Sequence, residues 1–117
     1  MAELATHVVL NGELPRPRYP ARLAEAASLA WLADARASLR YAWAALRGRA
    51  DVPVGLANAS RGLIEAAHSR LAGRREWVLN EKGIVARAGL AKQAELLLAA
   101  ADPPALAAAV ETIRDLL

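Results

Sequence analysis

The run Ser28-Leu29-Ala30-Trp31-Leu32-Ala33-Asp34-Ala35-Arg36-Ala37-Ser38-Leu39-Arg40-Tyr41-Ala42-Trp43-Ala44-Ala45-Leu46-Arg47-Gly48 sets the architecture of this chain. Leu32, Ala35, Leu39, Ala42, Trp43 and Leu46 recur at three- and four-residue spacing, so they share one face of a helix. Alanine and leucine are strong helix formers. Alanines on the inner face let a neighbouring helix approach closely. Ser28 reads as the cap of this helix and Gly48 as its end.

Outward from this run the pattern stays helical. Pro20 suits a first turn, which predicts a separate short helix over Ala21 to Ala27. Downstream, Asp51 reads as a cap with Pro53 in the first turn. The helix it opens is expected to reach about Ala72, with Leu56, Ala59, Leu63, Ala67 and Leu71 inside and Gly73 at its end. A loop covers residues 74–80. Asn80 then reads as the cap of a short helix from Glu81 to Arg87, and Gly89 breaks the chain. A further helix is expected from Leu90 to Ala101. Asp102, Pro103 and Pro104 open a last one running to Leu117.

The expected fold class is all-α: an antiparallel helical bundle over residues 21–117 behind an extended Pro-rich N-terminal arm over 1–20. Pro15, Pro17 and Pro20 hold Leu14 to Pro20 extended, as a frayed terminus or an interdomain linker. Val8-Val9-Leu10 and a lone His7 precede it, and one histidine without a mate is not a metal site.

Composition agrees. The 117 residues allow one modest core. Hydrophobic residues at 56% and charged ones at 23% exclude global disorder. With 30 alanines, 19 leucines and no phenylalanine, a sandwich, barrel or parallel sheet is disfavoured. The absence of cysteine excludes disulfides, cysteine–zinc sites, Fe–S clusters and thiol nucleophiles. Arg or Asp interrupts every long apolar run, so no membrane span is expected. The N-terminus lacks the layout of a signal peptide, and a cytoplasmic location is expected. The net charge of +3 is a mild excess, carried almost wholly by arginine, that permits phosphate or acidic contacts without requiring them. A core of alanine and leucine buries little area per residue, so a face covered by a second chain, a homo-oligomer or another partner, is expected.

Three sets of residues could carry chemistry. Arg61, Glu65 and His68 fall within an arc of about 60° on one helix. Glu65 could reach both neighbours and hold the imidazole, giving an acid/base or phosphate-contacting group; otherwise the three are a boundary stripe of ion pairs. Arg36, Arg40 and Arg47 flank Trp43 and could grip phosphates or an acidic partner surface, or else form a solvated face. Trp77 sits in the loop, either plugging one end of the bundle or anchoring a partner. No Walker A loop, no G-x-S-x-G and no D-x-D pair occurs.

Glu65-Ala66-Ala67-His68, Leu71-Ala72, the block Glu76-Trp77-Val78-Leu79-Asn80-Glu81-Lys82 and Ala88-Gly89-Leu90 together resemble the C-terminal helical domain of bacterial nucleotidyltransferase-like proteins. These are relatives of the aminoglycoside nucleotidyltransferases and of small nucleotidyltransferases with separate helical substrate-binding partners. Leu14 to Pro20 resembles the linker that follows their catalytic domain. The likeness spans about residues 10–115, with the Glu76–Lys82 block its distinctive part. The resemblance implies a non-catalytic helical half that closes over a catalytic α/β domain, shapes the acceptor pocket and often dimerises. Magnesium and nucleotide would be bound only with that catalytic partner, because the Gly-Ser turn and paired aspartates of the family are missing here. By the same resemblance Glu65, His68, Trp77, Asn80, Glu81 and Lys82 would face the substrate. Glu65 or Glu81 would meet a small cationic acceptor and Lys82 a phosphate.

Arg61 to His68 also fits the R-x6-H spacing of the helical HEPN ribonucleases, in which Arg and His of two subunits meet and cut RNA. Gly62 departs from that pattern, where a polar residue is usual. A plain helical dimerisation module is the third reading.

Overall fold

The computed structural model describes residues 18–117, and among these it contains five helices and no strand. They are α1 (Ala21–Arg49), α2 (Val52–Gly73), α3 (Ile84–Arg87), α4 (Ala91–Ala99) and α5 (Pro103–Asp115). The expected all-α antiparallel bundle is therefore the observed architecture. Of the expected arm over 1–20, residues 1–17, with His7 and Val8 to Leu10, lie outside the described residues. None of the helices is long and apolar enough to cross a membrane.

The caps form where the sequence places them. Asp51 accepts from the Val54 N–H at 3.3 Å, and Asp102 from the Ala105 N–H at 2.8 Å, each satisfying a backbone donor that the first turn leaves open. Ser28 is different. It caps nothing, and the two expected helices are one, Ala21–Arg49. Its hydroxyl instead donates across to the Ser69 carbonyl at 2.9 Å, while the Ser69 hydroxyl donates to the Ser28 carbonyl at 2.8 Å. This reciprocal clasp removes the usual penalty of serine inside a helix, because the hydroxyl no longer competes for its own backbone. Gly48 does not stop α1 either. The chain turns one residue past the helix, at Ala50, whose φ of 52° is left-handed.

α1 and α2 run antiparallel, and glycine governs how closely they meet. A Cβ at Gly62 would stand 2.7 Å from Leu39 Cγ and 3.3 Å from the Ala35 carbonyl oxygen. One at Gly55 would stand 2.5 Å from Leu46 Cγ. Leu39 and Leu46 are seven residues apart, as are Gly55 and Gly62, so two leucine knobs seat in two glycine holes one heptad apart. This corrects the expected inner face of α2. Leu56 is 37% exposed, and its neighbour Gly55 takes the inward position. Close approach favours the residue with no side chain over the larger apolar one.

The remaining helices complete the core. Leu106, Val110 and Ile113 of α5 pack with Ala35, Leu39, Ala42 and Leu46, while Ile84, Leu90 and Leu97 close the other side with Leu63, Ala67 and Leu71. α3 begins at Ile84, three residues later than expected. Asn80 Oδ1 accepts from the Lys82 N–H at 3.0 Å and forms a turn, and Gly83 has a left-handed φ of 64°. α4 is shorter than expected at both ends, and of Leu96, Leu97 and Leu98 only Leu97 is buried. The body is elongated, 56 × 25 × 19 Å, with a radius of gyration of 16.5 Å against about 13 Å for a compact domain of this size.

Gly62→Ala is expected to lower the melting temperature. Overpacking costs about 1–3 kcal/mol, which outweighs a helix-propensity gain of about 1 kcal/mol. Gly48→Ala, with nothing within 4 Å of the added Cβ, is expected to raise it. Thermal unfolding of the pair checks the reading; a Gly62→Ala protein as stable as the wild type would show that the approach is not limiting.

Candidate functional site

The antiparallel register carries Trp31 of α1 onto His68 of α2. The two rings stack with centroids 4.1 Å apart and planes 11° apart. Glu81, from the loop between α2 and α3, reaches the other side of the imidazole, with its Oε2 3.4 Å from Nε2. This is an ion pair whenever the ring carries a second proton. A second stack lies beside the first: Tyr19, just ahead of α1, lies on Trp77 at 4.4 Å and 18°. Tyr19, Trp31, His68, Ala72, Glu76, Trp77 and Val78 line a cleft of about 200 Å³ at this end of the hairpin. The chain has three tryptophans, two tyrosines and no phenylalanine, so three of its five aromatic residues gather in one cleft.

The loop holding Trp77 is fastened by arginines. Arg74 Nη2 donates to the Arg87 carbonyl at 2.9 Å, and Glu76 lies 3.9 Å from both Arg74 Nε and Arg87 Nη2. α2 leaves through a tight reversal. The Arg75 N–H donates to the Ala72 carbonyl at 2.8 Å and the Glu76 N–H to the Leu71 carbonyl at 2.9 Å. Two such bonds close a helix through a left-handed residue, normally glycine. Here that residue is Arg75, with φ of 58°, and Gly73 is the last helical residue. The side chain Arg75 brings is used, since its Nε donates to the Tyr19 carbonyl at 2.8 Å. Arg18, Tyr19, Arg75 and Trp77 line an adjoining pocket of about 350 Å³.

The other expected site residues go elsewhere. Glu65 is 5% exposed and turns toward α1, where the Ser38 hydroxyl donates to Oε1 at 2.6 Å and Arg61 Nε lies 3.5 Å away. It does not hold His68, whose partners are Trp31 and Glu81. The ridge of Arg61, Glu65 and His68 thus divides into two separate clusters. Asn80 engages the Lys82 backbone, and neither residue lines the cleft. Arg36 and Arg40 face a groove of about 340 Å³ against Glu111, Arg114 and Asp115 of α5, and Arg36 also donates to the Leu117 carbonyl. Trp43 lies under both Arg47 and Arg114, at 5.9 and 5.8 Å, with its Nε1 buried and unpartnered. Sequence reasoning missed Tyr19, Trp31, Arg18, Arg75 and Arg114. The scarcity of aromatic residues was the signal that could have pointed to the first two.

Chemically the cleft is suited to recognition. Its four rings are stacked in two pairs, Tyr19 with Trp77 and Trp31 with His68, and its one imidazole is also engaged at Nε2 by Glu81. No protein family, curated protein or solved structure matches the chain, so function has to be read from these residues themselves.

The Ser38–Glu65 contact is expected to be structural. Ser38→Ala removes a donor from a buried carboxylate and should cost about 1–3 kcal/mol. Arg61→Ala, on the half-exposed side of the same group, should cost less than about 1 kcal/mol. Denaturant unfolding of both variants and their double mutant measures the difference.

Proposed function

We propose that this chain is a non-catalytic helical recognition module that shapes the substrate pocket of a nucleotidyltransferase catalytic domain, on the same or a separate polypeptide. The observation carrying this reading is the ring-lined cleft. Tyr19, Trp31, His68 and Trp77 converge at the open end of the α1–α2 hairpin, and the Glu76–Lys82 block supplies Glu76 and Trp77 to the lining and Glu81 to His68. A site rich in stacking faces and poor in nucleophiles binds and orients, leaving bond-making to the partner. The catalytic domain would bring magnesium and the nucleotide donor. Leu98, 84% exposed on α4, and the exposed Leu29 offer apolar contacts for the partner or for a second copy of the chain.

A tagged chain expressed in its native cell is expected to retain a polypeptide bearing an α/β nucleotidyltransferase domain, identified by mass spectrometry, and Leu98→Glu is expected to weaken that retention. The purified chain with ATP and Mg²⁺ is expected to transfer no nucleotide. The reading fails if no such domain is retained or encoded in the same reading frame. It also fails if the chain alone cleaves RNA in a manner lost in His68→Ala.

A further inference from the structure

Two surfaces of the described residues are unassigned: the groove between α1 and α5, and the arginine pocket beside the ring cleft. In the groove, Arg36, Arg40 and Arg114 share the walls with Glu111 and Asp115, so charge is nearly balanced within it. The arginine pocket is different because its chemistry continues that of the cleft: Tyr19 and Trp77 line both.

Charge pairing indicates what this double site accepts. The carboxylates at the cleft are already matched, Glu76 with Arg74 and Arg87 and Glu81 with His68. The arginines beside it are not. Among the described residues, neither Arg18 nor Arg75 forms an ion pair with a carboxylate. A cationic ligand would therefore compete with pairs already made and meet two unmatched cations next door. An anion meets the reverse. Arg75 spends Nε on the Tyr19 carbonyl and keeps its two terminal nitrogens as donors, the geometry that suits a phosphate. Arg75 occupies the left-handed position that glycine normally fills, and its bond to the Tyr19 carbonyl holds the guanidinium beside the rings. Strain of this kind is kept where the side chain is needed.

We propose that the two pockets together bind a free nucleoside phosphate, its base against the ring-lined walls of the cleft and its phosphate at Arg18 and Arg75. The cleft, at about 200 Å³, is smaller than the roughly 300–1,000 Å³ of drug-sized sites and fits one ring system rather than a long ligand. Rings that stack a base and arginines that hold its phosphate are the two elements by which proteins grip nucleotides without reading a duplex. The assignment rests on the cleft being the ligand site of the module. It makes the acceptor presented to the catalytic domain a nucleotide, in place of the small cation expected from sequence.

The test titrates the full chain with the four ribonucleoside 5′-monophosphates, the matching nucleosides, ribose 5-phosphate, spermidine and a short single-stranded RNA, read by tryptophan fluorescence. At least one monophosphate is expected to bind about tenfold more tightly than its nucleoside and than ribose 5-phosphate. Arg75→Gly relieves the left-handed backbone, so its melting temperature should be unchanged or raised while monophosphate binding weakens about tenfold. Arg18→Gln should weaken binding in the same direction. Equal binding by Arg75→Gly and wild type, preference for spermidine, or binding of the RNA with no mononucleotide would each overturn the proposal. Retention of a nucleotidyltransferase chain without nucleotide binding sinks this assignment alone; nucleotide binding without retention sinks only the partner reading.

Discussion

The fit of Leu39 and Leu46 into the spaces left by Gly62 and Gly55 fixes everything else in this molecule. A helix pair can slide by a turn if its inner faces are uniform leucine and alanine, because one register then packs nearly as well as the next. Two knobs and two holes with the same heptad separation admit one register. The Ser28–Ser69 clasp pins the far end of the same pair. Between the glycine holes and the clasp lies the segment in which Trp31 must face His68. The site is a consequence of packing that lies one to several turns away from it.

This arrangement also explains a core with so little bulk. Alanine and glycine contribute small areas per residue, and dispersion depends on distance as much as on atom count. Bringing the two backbones together places backbone and Cβ atoms of both helices in contact, where larger side chains would hold them apart. The cost is sensitivity: a single methyl at Gly62 has no free volume, whereas one at Gly48 meets none. Small residues therefore act as specificity devices here, and the larger leucines at exposed positions such as Leu56 contribute less to the core than their hydrophobicity suggests.

Most of the fold was legible in the sequence, and the limits of that legibility are physical. Asp51 and Asp102 act within three residues of themselves, so local chemistry suffices to find them. Ser28 was misread because a serine ahead of an apolar run has two uses, capping its own helix or bonding to another, and only Ser69 across the interface selects between them. Gly55 lost to Leu56 for the same reason, since periodicity ranks side chains by hydrophobicity and cannot see a leucine arriving from the facing helix. The candidate site divided along this line. Spacing placed Arg61, Glu65 and His68 on one ridge, correctly for a lone helix. The partners that separate them, Ser38 and Trp31, belong to α1 and lie 27 and 37 positions away in the chain.

The arginines show why local balance matters more than net charge. Two clusters of arginine in this chain behave differently. Against α5, Arg36, Arg40 and Arg114 share a groove with Glu111 and Asp115, so the field there is largely cancelled before any ligand arrives. Beside the rings, Arg74 and Arg87 neutralise Glu76 and hold the loop, while Arg18 and Arg75 form no ion pair among the described residues. The same residue type thus serves two ends: structural where a carboxylate is at hand, available for an external anion where none is. Arg75 stands on the boundary between those roles. It sits in a backbone conformation that favours glycine, ties Tyr19 to the end of α2, and faces the pocket shared by the two stacked rings. The placement of one cation at the mouth of an aromatic cleft, against local backbone preference, gives the ring cleft a direction for a ligand to enter and a charge for it to carry.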